Sequence, residues 1–98
     1  MLILIPVDSN DEAKAQVVLM SEAKHWALVD FDEGKMQAVK FYNSKDEIDW
    51  ADFAILASHK EDKTDLSEEG TVVLHVRDEK TIEEIIDAYR FNDLDEVR

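Results

Sequence analysis

The stretch that decides the fold is "GTVVLHVRDEKTIEEIIDAYRF", residues 70–91. Its first part, "TVVLHV" at residues 71–76, is rich in β-branched and apolar residues, which is typical of a core strand. Four apolar residues then recur at helical spacing: Ile82, Ile85, Ile86 and Tyr89. Thr81 and Glu84 have the spacing of a capping box, so a helix should begin just after Thr81. The stretch therefore predicts a buried strand followed directly by an amphipathic helix.

Two other segments read as core strands. "LILIPV" at residues 2–7 and "FAILA" at residues 53–57 are continuous apolar runs. Such runs are typical of strands that are buried on both faces of a sheet. Pro6 has no N–H to donate to a β-ladder, so it should lie near the end of its strand.

A hairpin is predicted between the first two core strands. "KHWALVDF" at residues 24–31 and "MQAVKFY" at residues 36–42 are rich in strand-forming residues. The turn between them contains Gly34, which suits a positive φ. The second strand alternates apolar and polar residues more clearly, which indicates an outer strand of the sheet.

The remaining segments are short. Ser44 and Glu47 have capping-box spacing, which predicts one or two helical turns within residues 44–52. "TDLSEEG" at residues 64–70 predicts a short helix that ends at Gly70. The tail at residues 93–98 is expected to fray, with Leu94 and Val97 as the residues that could pack back onto the domain. Strands that alternate with helices predict a single α/β domain with a mixed sheet and helices on its faces.

The two tryptophans are expected in the core, because aromatic side chains dominate the packing of small domains. Trp26 falls inside a predicted strand and should point inward. Trp50 falls in the short helical segment beside acidic residues and should be the more exposed of the two.

Composition excludes several classes of partner. The chain has 98 residues, enough for one domain, and a net charge of −13. This charge repels phosphate backbones and anionic lipids, so we expect neither nucleic-acid nor membrane binding. There is no cysteine, which removes disulfides and thiolate ligands and is consistent with a cytoplasmic protein.

The layout of the chain resembles the dinitrogenase iron–molybdenum cofactor biosynthesis family. The stretches that carry the resemblance are "MLILIPVDSND" (1–11), "ALVDFDEGKMQAVKFY" (27–42), "ADFAILAS" (51–58) and "GTVVLHVRDEKTIEEIIDAY" (70–89). The resemblance implies one domain over residues 1–98 with a ribonuclease H-like fold. It also implies a five-stranded mixed sheet in the order 3-2-1-4-5, with strand 2 antiparallel to the rest. The implied function is that of a non-enzymatic accessory or carrier protein, with an iron–sulfur or iron–molybdenum cluster as its cargo.

Two departures from the family pattern mark a divergent member. Family members commonly carry a His-Phe-Gly-Arg-like turn before the hairpin, where this chain has "VVLMSEAKHW" at residues 17–26. They also tend to have a glycine-rich turn after the strand that corresponds to "FAILA", where this chain has "SHKE" at residues 58–61. A glycine turn lets backbone amides approach an anionic ligand closely. The binding turn is therefore altered.

The candidate site consists of the residues that replace the glycine turn. His59 follows a core strand at its carboxyl end, which is where open α/β sheets bind ligands. Imidazole can bind transition metals and iron-containing clusters, and Ser58 and Lys60 could help to hold an anionic cluster. His59 is therefore the predicted metal ligand, against the alternative of an exposed loop histidine. His25 and His75 fall inside predicted strands, where structural roles suit them better.

Two alternatives remain open at this point. A nuclease-like site would need carboxylates that hold two metal ions, and the candidates are Asp8, Asp30, Asp32 and Asp52. Of these, Asp8 and Asp30 could approach each other if strands 1 and 2 are neighbours, but the net charge disfavours a nucleic-acid substrate. The other alternative is a scaffold-only relative that acts as a protein interaction module. It would use Trp50, or it would bind a partner or a second copy through the edge strand from Met36 to Tyr42.

Overall fold

The computed structural model describes residues 1–58, 60–62 and 64–97. Six strands are present: β1 (Leu2–Val7), β2 (His25–Asp32), β3 (Lys35–Tyr42), β4 (Phe53–Leu56), β5 (Val72–His75) and β6 (Asp95–Glu96). The helices are α1 (Thr64–Glu68) and α2 (Ile82–Arg90), and there are 3-10 turns at Met20–Glu22 and Lys45–Glu47. Within the described residues, no helix is long and apolar enough to cross a membrane.

The strands form one mixed sheet in the order β3-β2-β1-β4-β5-β6. β1, β4 and β5 run parallel, and β2 is antiparallel to both of its neighbours. The first five strands thus follow the order 3-2-1-4-5 with strand 2 antiparallel. The predicted number of five strands is wrong, because a sixth strand pairs antiparallel with β5.

The sixth strand forms because the chain end is bound to β5. Leu94 is buried, and the Val97 N–H donates a hydrogen bond of 2.8 Å to the Val73 carbonyl. The Arg77 guanidinium also donates two hydrogen bonds to the Asp95 carboxylate, at 2.8 and 2.9 Å. Packing of apolar residues near the chain end outweighs the fraying that the acidic sequence predicts.

α2 covers one face of the sheet, as its amphipathic pattern predicts. Its buried residues are Ile82, Ile85, Ile86 and Ala88. They pack against inward-facing residues of the central strands, among them Ile3, Ile5 and Ile55. The capping box of Thr81 and Glu84 is present in both directions, so the predicted start of the helix is confirmed.

The other face of the sheet is covered by shorter elements. Leu4, Trp26 and Leu56 form a second cluster there, together with Leu66 from α1. Trp26 is 9% exposed, which confirms its inward orientation. Trp50 is 44% exposed, so it is the more exposed of the two as predicted, but the prediction of a core position for it is wrong. Its indole N–H instead donates to the Glu69 carbonyl at 2.9 Å, which holds the ring against the surface.

The turns and helix ends contain residues that suit their backbone conformations. Gly34 has a φ of +80° in the hairpin turn, a conformation that glycine adopts without steric cost. Ser44 and Glu47 form a reciprocal capping box, although it begins a three-residue 3-10 turn rather than a longer helix. Asn92 has a φ of +59° just after α2, as expected of a helix stop.

Candidate functional site at the carboxyl edge of the sheet

The parallel strands β1, β4 and β5 all end at one edge of the sheet, here called the carboxyl edge. The connections that follow these strands meet there: the Val17 N–H donates to the Lys80 carbonyl at 2.8 Å. These connections border an open cleft of about 440 Å³, which is lined by Gln16, Val17, Ala57 and residues 76–80. This is the position at which open α/β sheets bind ligands.

Two of the three predicted site residues lie at this edge. Ser58 follows β4, and its Oγ accepts a hydrogen bond of 3.2 Å from the Lys60 backbone N–H. His59, the predicted metal ligand, lies outside the described residues. The assignment of Ser58, His59 and Lys60 to a cluster therefore stays a prediction.

Glu61 connects two loops at the carboxyl edge through hydrogen bonds to its carboxylate. Its Oε1 accepts a hydrogen bond of 2.6 Å from the Met20 N–H, and its Oε2 accepts one of 3.2 Å from the Ser58 N–H. The Glu61 N–H in turn donates to the Ser58 carbonyl at 3.3 Å. A single carboxylate thus bridges the connection after β1 and the connection after β4. It occupies backbone donors of the kind that bind an anionic ligand.

Sequence reasoning missed this role of Glu61. The residue was visible in the segment that replaces the glycine turn, but its partner Met20 lies 41 positions earlier in the chain. A contact of that range depends on how two connections pack, and local patterns carry no signal for it.

Other carboxylates accept hydrogen bonds from backbone amides at the same edge. Asp8 accepts from Gln16 at 2.9 Å. Glu79 accepts from Arg77 at 2.9 Å, and Glu84 accepts from Thr81 at 3.1 Å and Lys80 at 3.2 Å. Each of the connections after β1, β4 and β5 therefore has at least one amide bound by an acidic side chain of the chain itself.

Glu84 predicts a pH dependence of stability. Hydrogen bonds from the Thr81 and Lys80 backbone lower the pKa of Glu84 from its ordinary value of 4.5. A lowered pKa in the folded state stabilises the fold above the unfolded value, and that contribution is lost as pH falls through the folded value. We expect Glu84→Gln to unfold at lower denaturant concentration than the wild type at neutral pH. The difference in denaturant midpoint should shrink below pH 4.5. A difference that is the same at neutral pH and below pH 4.5 would contradict the lowered pKa of Glu84.

Arg77 borders the cleft, but its charge is already paired. Both hydrogen bonds of its guanidinium go to Asp95 in β6, and they lower the pKa of that carboxyl group. His75 Nε2 lies 3.9 Å from the same carboxylate. These contacts give Arg77 and His75 structural roles at the β5–β6 junction, as predicted for His75.

The carboxylates proposed for a nuclease-like site do not come together. Asp30 pairs in register with Leu2 at the start of β1, whereas Asp8 follows Val7 at its end. Six residues of extended strand separate these positions by about 20 Å. The expectation that Asp8 and Asp30 approach each other is therefore wrong, because β1 and β2 are antiparallel. In the described part of the chain, no group of three or more His, Asp or Glu residues is placed to hold a metal ion.

Comparison with known proteins shows likeness of fold. No protein-family model matches the chain, and no curated protein matches it. The crystal structure of a "putative dinitrogenase" (MJ0327) from Methanocaldococcus jannaschii is similar, with a TM-score of 0.78 and 13% identity over 99% of this chain and 94% of that chain. The crystal structure of PH0822 has a TM-score of 0.76 and 15% identity over 98% and 96% of the two chains.

An NMR structure of the same "putative dinitrogenase" (MJ0327), from Methanococcus jannaschii, gives a TM-score of 0.77. It covers 99% of this chain and 92% of that chain at 13% identity. At such identities the likeness defines the chain as an α/β domain with the fold of these proteins.

Proposed function

We propose that this chain is a non-enzymatic accessory protein of the iron–molybdenum cofactor biosynthesis type, built on a ribonuclease H-like fold. In this proposal backbone amides at the carboxyl edge are occupied by the chain's own carboxylates, an arrangement that we call the closed edge. The protein then acts through contacts with other proteins. The likeness of fold to a "putative dinitrogenase" over nearly the whole chain supports the scaffold. The observation that carries the closed edge is the Glu61 carboxylate, which binds the Met20 and Ser58 amides.

Charge explains why this contact opposes an anionic cargo. Hydrogen bonds to an ionised carboxylate are roughly twice as strong as those between neutral groups. An anionic cluster that used the Met20 and Ser58 amides would first have to displace Glu61. It would then lie beside the displaced carboxylate, in a protein whose net charge is −13. Like charges at such close range are unfavourable.

The proposal that the protein is not an enzyme is supported by what the acids at this edge do. Asp8, Glu61, Glu79 and Glu84 accept hydrogen bonds from backbone amides of the connections in which they lie or which they bridge. These hydrogen bonds give the four carboxylates a structural role, which is the role that the proposal assigns to them.

A second candidate function is carriage of an iron–sulfur or iron–molybdenum cluster by Ser58, His59 and Lys60. Its support is position: Ser58 and Lys60 lie together just past the carboxyl end of β4. A cleft of about 440 Å³ opens beside them, with Ala57 in its wall. In this candidate His59 supplies the metal ligand and Lys60 a compensating charge.

Cluster loading separates the two functions. The full chain is purified without oxygen and offered an iron–sulfur cluster or an iron–molybdenum cluster, followed by iron analysis and a visible spectrum. A closed edge predicts a colourless wild-type protein without stoichiometric iron. Stoichiometric iron with charge-transfer bands that disappear in His59→Ala would contradict the closed edge and support the carrier. Lys14→Ala, which removes one cation from the connection after β1, is the control for a nonspecific effect of charge.

A further inference from the structure

A shallow groove lies on the sheet face opposite α2, over the strands β1 to β3. Its volume is about 230 Å³, and it is lined by Leu2, Leu28, Asp30, Ala38, Lys40 and Tyr42. The leucines and Tyr42 are half-buried against the second core cluster, whereas Ala38 and Lys40 are exposed on the edge strand β3. The groove is therefore apolar in its floor and open to solvent at its rim.

Four of these residues form a regular block across β2 and β3. Asp30 is paired in register with Ala38, and Leu28 is paired with Lys40. The two apolar residues, Leu28 and Ala38, consequently lie on one diagonal of the block. The acid and the base, Asp30 and Lys40, lie on the other diagonal. We call this arrangement the diagonal block.

The charges of the diagonal block are only partly satisfied within the chain. Asp30 lies 3.8 Å from the N-terminal ammonium, and its side chain is 53% exposed. Lys40 forms no salt bridge with any carboxylate of the residues described. β3 carries two lysines and no acid, and no other strand of the described residues carries a lysine.

We propose that the diagonal block is a docking surface for a second copy of this chain, related to the first by a two-fold axis. In a two-fold interface the same surface serves both subunits, so residue i contacts j and j contacts i. An axis along the Leu28–Ala38 diagonal packs the apolar pair of one subunit on the same pair of the other. It also brings Lys40 opposite Asp30 of the partner subunit, twice.

The second copy is the occupant that the charges favour. Two molecules of charge −13 repel each other, and a patch that pairs each acid with a base adds no further repulsion at the contact. The diagonal block has one acid and one base, and it is complementary to itself. A basic partner has the rest of the acidic surface available to it, and on the diagonal block it would meet Lys40. A second copy meets each charge of the block with its opposite. This proposal does not depend on Glu61, so the cluster-loading result leaves it unchanged.

A charge-swap series tests the arrangement by sedimentation equilibrium of the full chain. The wild type is expected to form a dimer whose population increases with protein concentration. Lys40→Asp alone should raise the dimer dissociation constant by about tenfold or more, because it places two acids opposite each other. Asp30→Lys alone should do the same with two lysines. The double variant Asp30→Lys/Lys40→Asp should restore dimerisation.

Lys35→Asp is the matched control, since it makes the same charge change on β3 outside the groove. Far-ultraviolet circular dichroism of every variant checks that the fold is intact. A wild-type protein that stays monomeric at all concentrations would overturn the proposal. So would a dimer that Lys40→Asp and Lys35→Asp weaken equally, or one that the double variant fails to restore.

Discussion

Replacing Ile5 by alanine is expected to lower the free energy of unfolding by about 2–5 kcal/mol. Ile5 is 0% exposed and lies in β1, with two strands on one side of it and three on the other. It packs in the cluster that joins the sheet to α2. The substitution removes buried methyl and methylene groups and leaves a cavity that the neighbouring strands cannot fill. Because domains of this size are stable by only about 5–15 kcal/mol, the loss should be plain in urea denaturation.

The matched control is Ile5→Val, which removes a single methylene and should cost only about 0.5–1.5 kcal/mol. The ratio of the two losses in unfolding free energy distinguishes a tightly packed core from a loosely packed one. Equal and small losses for both variants would mean that β1 does not lie at the centre of the sheet.

Replacing Glu61 by alanine is expected to have two effects. The Met20 and Ser58 amides lose a charged acceptor, which should lower the free energy of unfolding by about 1–3 kcal/mol. The same amides then become available to an added anion. We therefore expect inorganic phosphate to raise the melting temperature of Glu61→Ala more than that of the wild type, as ligands that bind the folded state do.

Two control variants isolate the cause. Glu22→Ala removes the same charge from an exposed position two residues after Met20, and it should not create phosphate binding. Glu61→Gln keeps one acceptor oxygen and should lie between Glu61→Ala and the wild type in stability. If phosphate stabilises Glu22→Ala as much as Glu61→Ala, removal of charge alone would explain the result, and Glu61 would not be closing a site.

Most of the fold could be read from the sequence because the information is local. The helical spacing of Ile82, Ile85 and Ile86, together with the Thr81 cap, fixed α2 to within a residue. The apolar runs gave β1 and β4, and the turn at Gly34 gave the hairpin of β2 and β3. The strand order came from the family resemblance, since periodicity alone does not say which strands are neighbours.

What the sequence could not supply depends on contacts between distant residues. β6 depends on Arg77, which binds Asp95 18 positions later. The position of the Trp50 ring depends on the Glu69 carbonyl, which accepts a hydrogen bond from its indole N–H. The role of Glu61 depends on Met20 in the connection after β1. In each case a side chain has found a partner that no local pattern indicates.

The most direct test of the closed carboxyl edge is the NMR coupling through the hydrogen bond between the Met20 amide nitrogen and the Glu61 side-chain carboxyl carbon. With a donor–acceptor distance of 2.6 Å, the wild-type protein should show this coupling, together with slow exchange of the Met20 amide with solvent. Both signals should be lost in Glu61→Ala and kept in Glu22→Ala. A wild-type Met20 amide that exchanges freely and shows no coupling would mean that Glu61 leaves the edge open to a ligand.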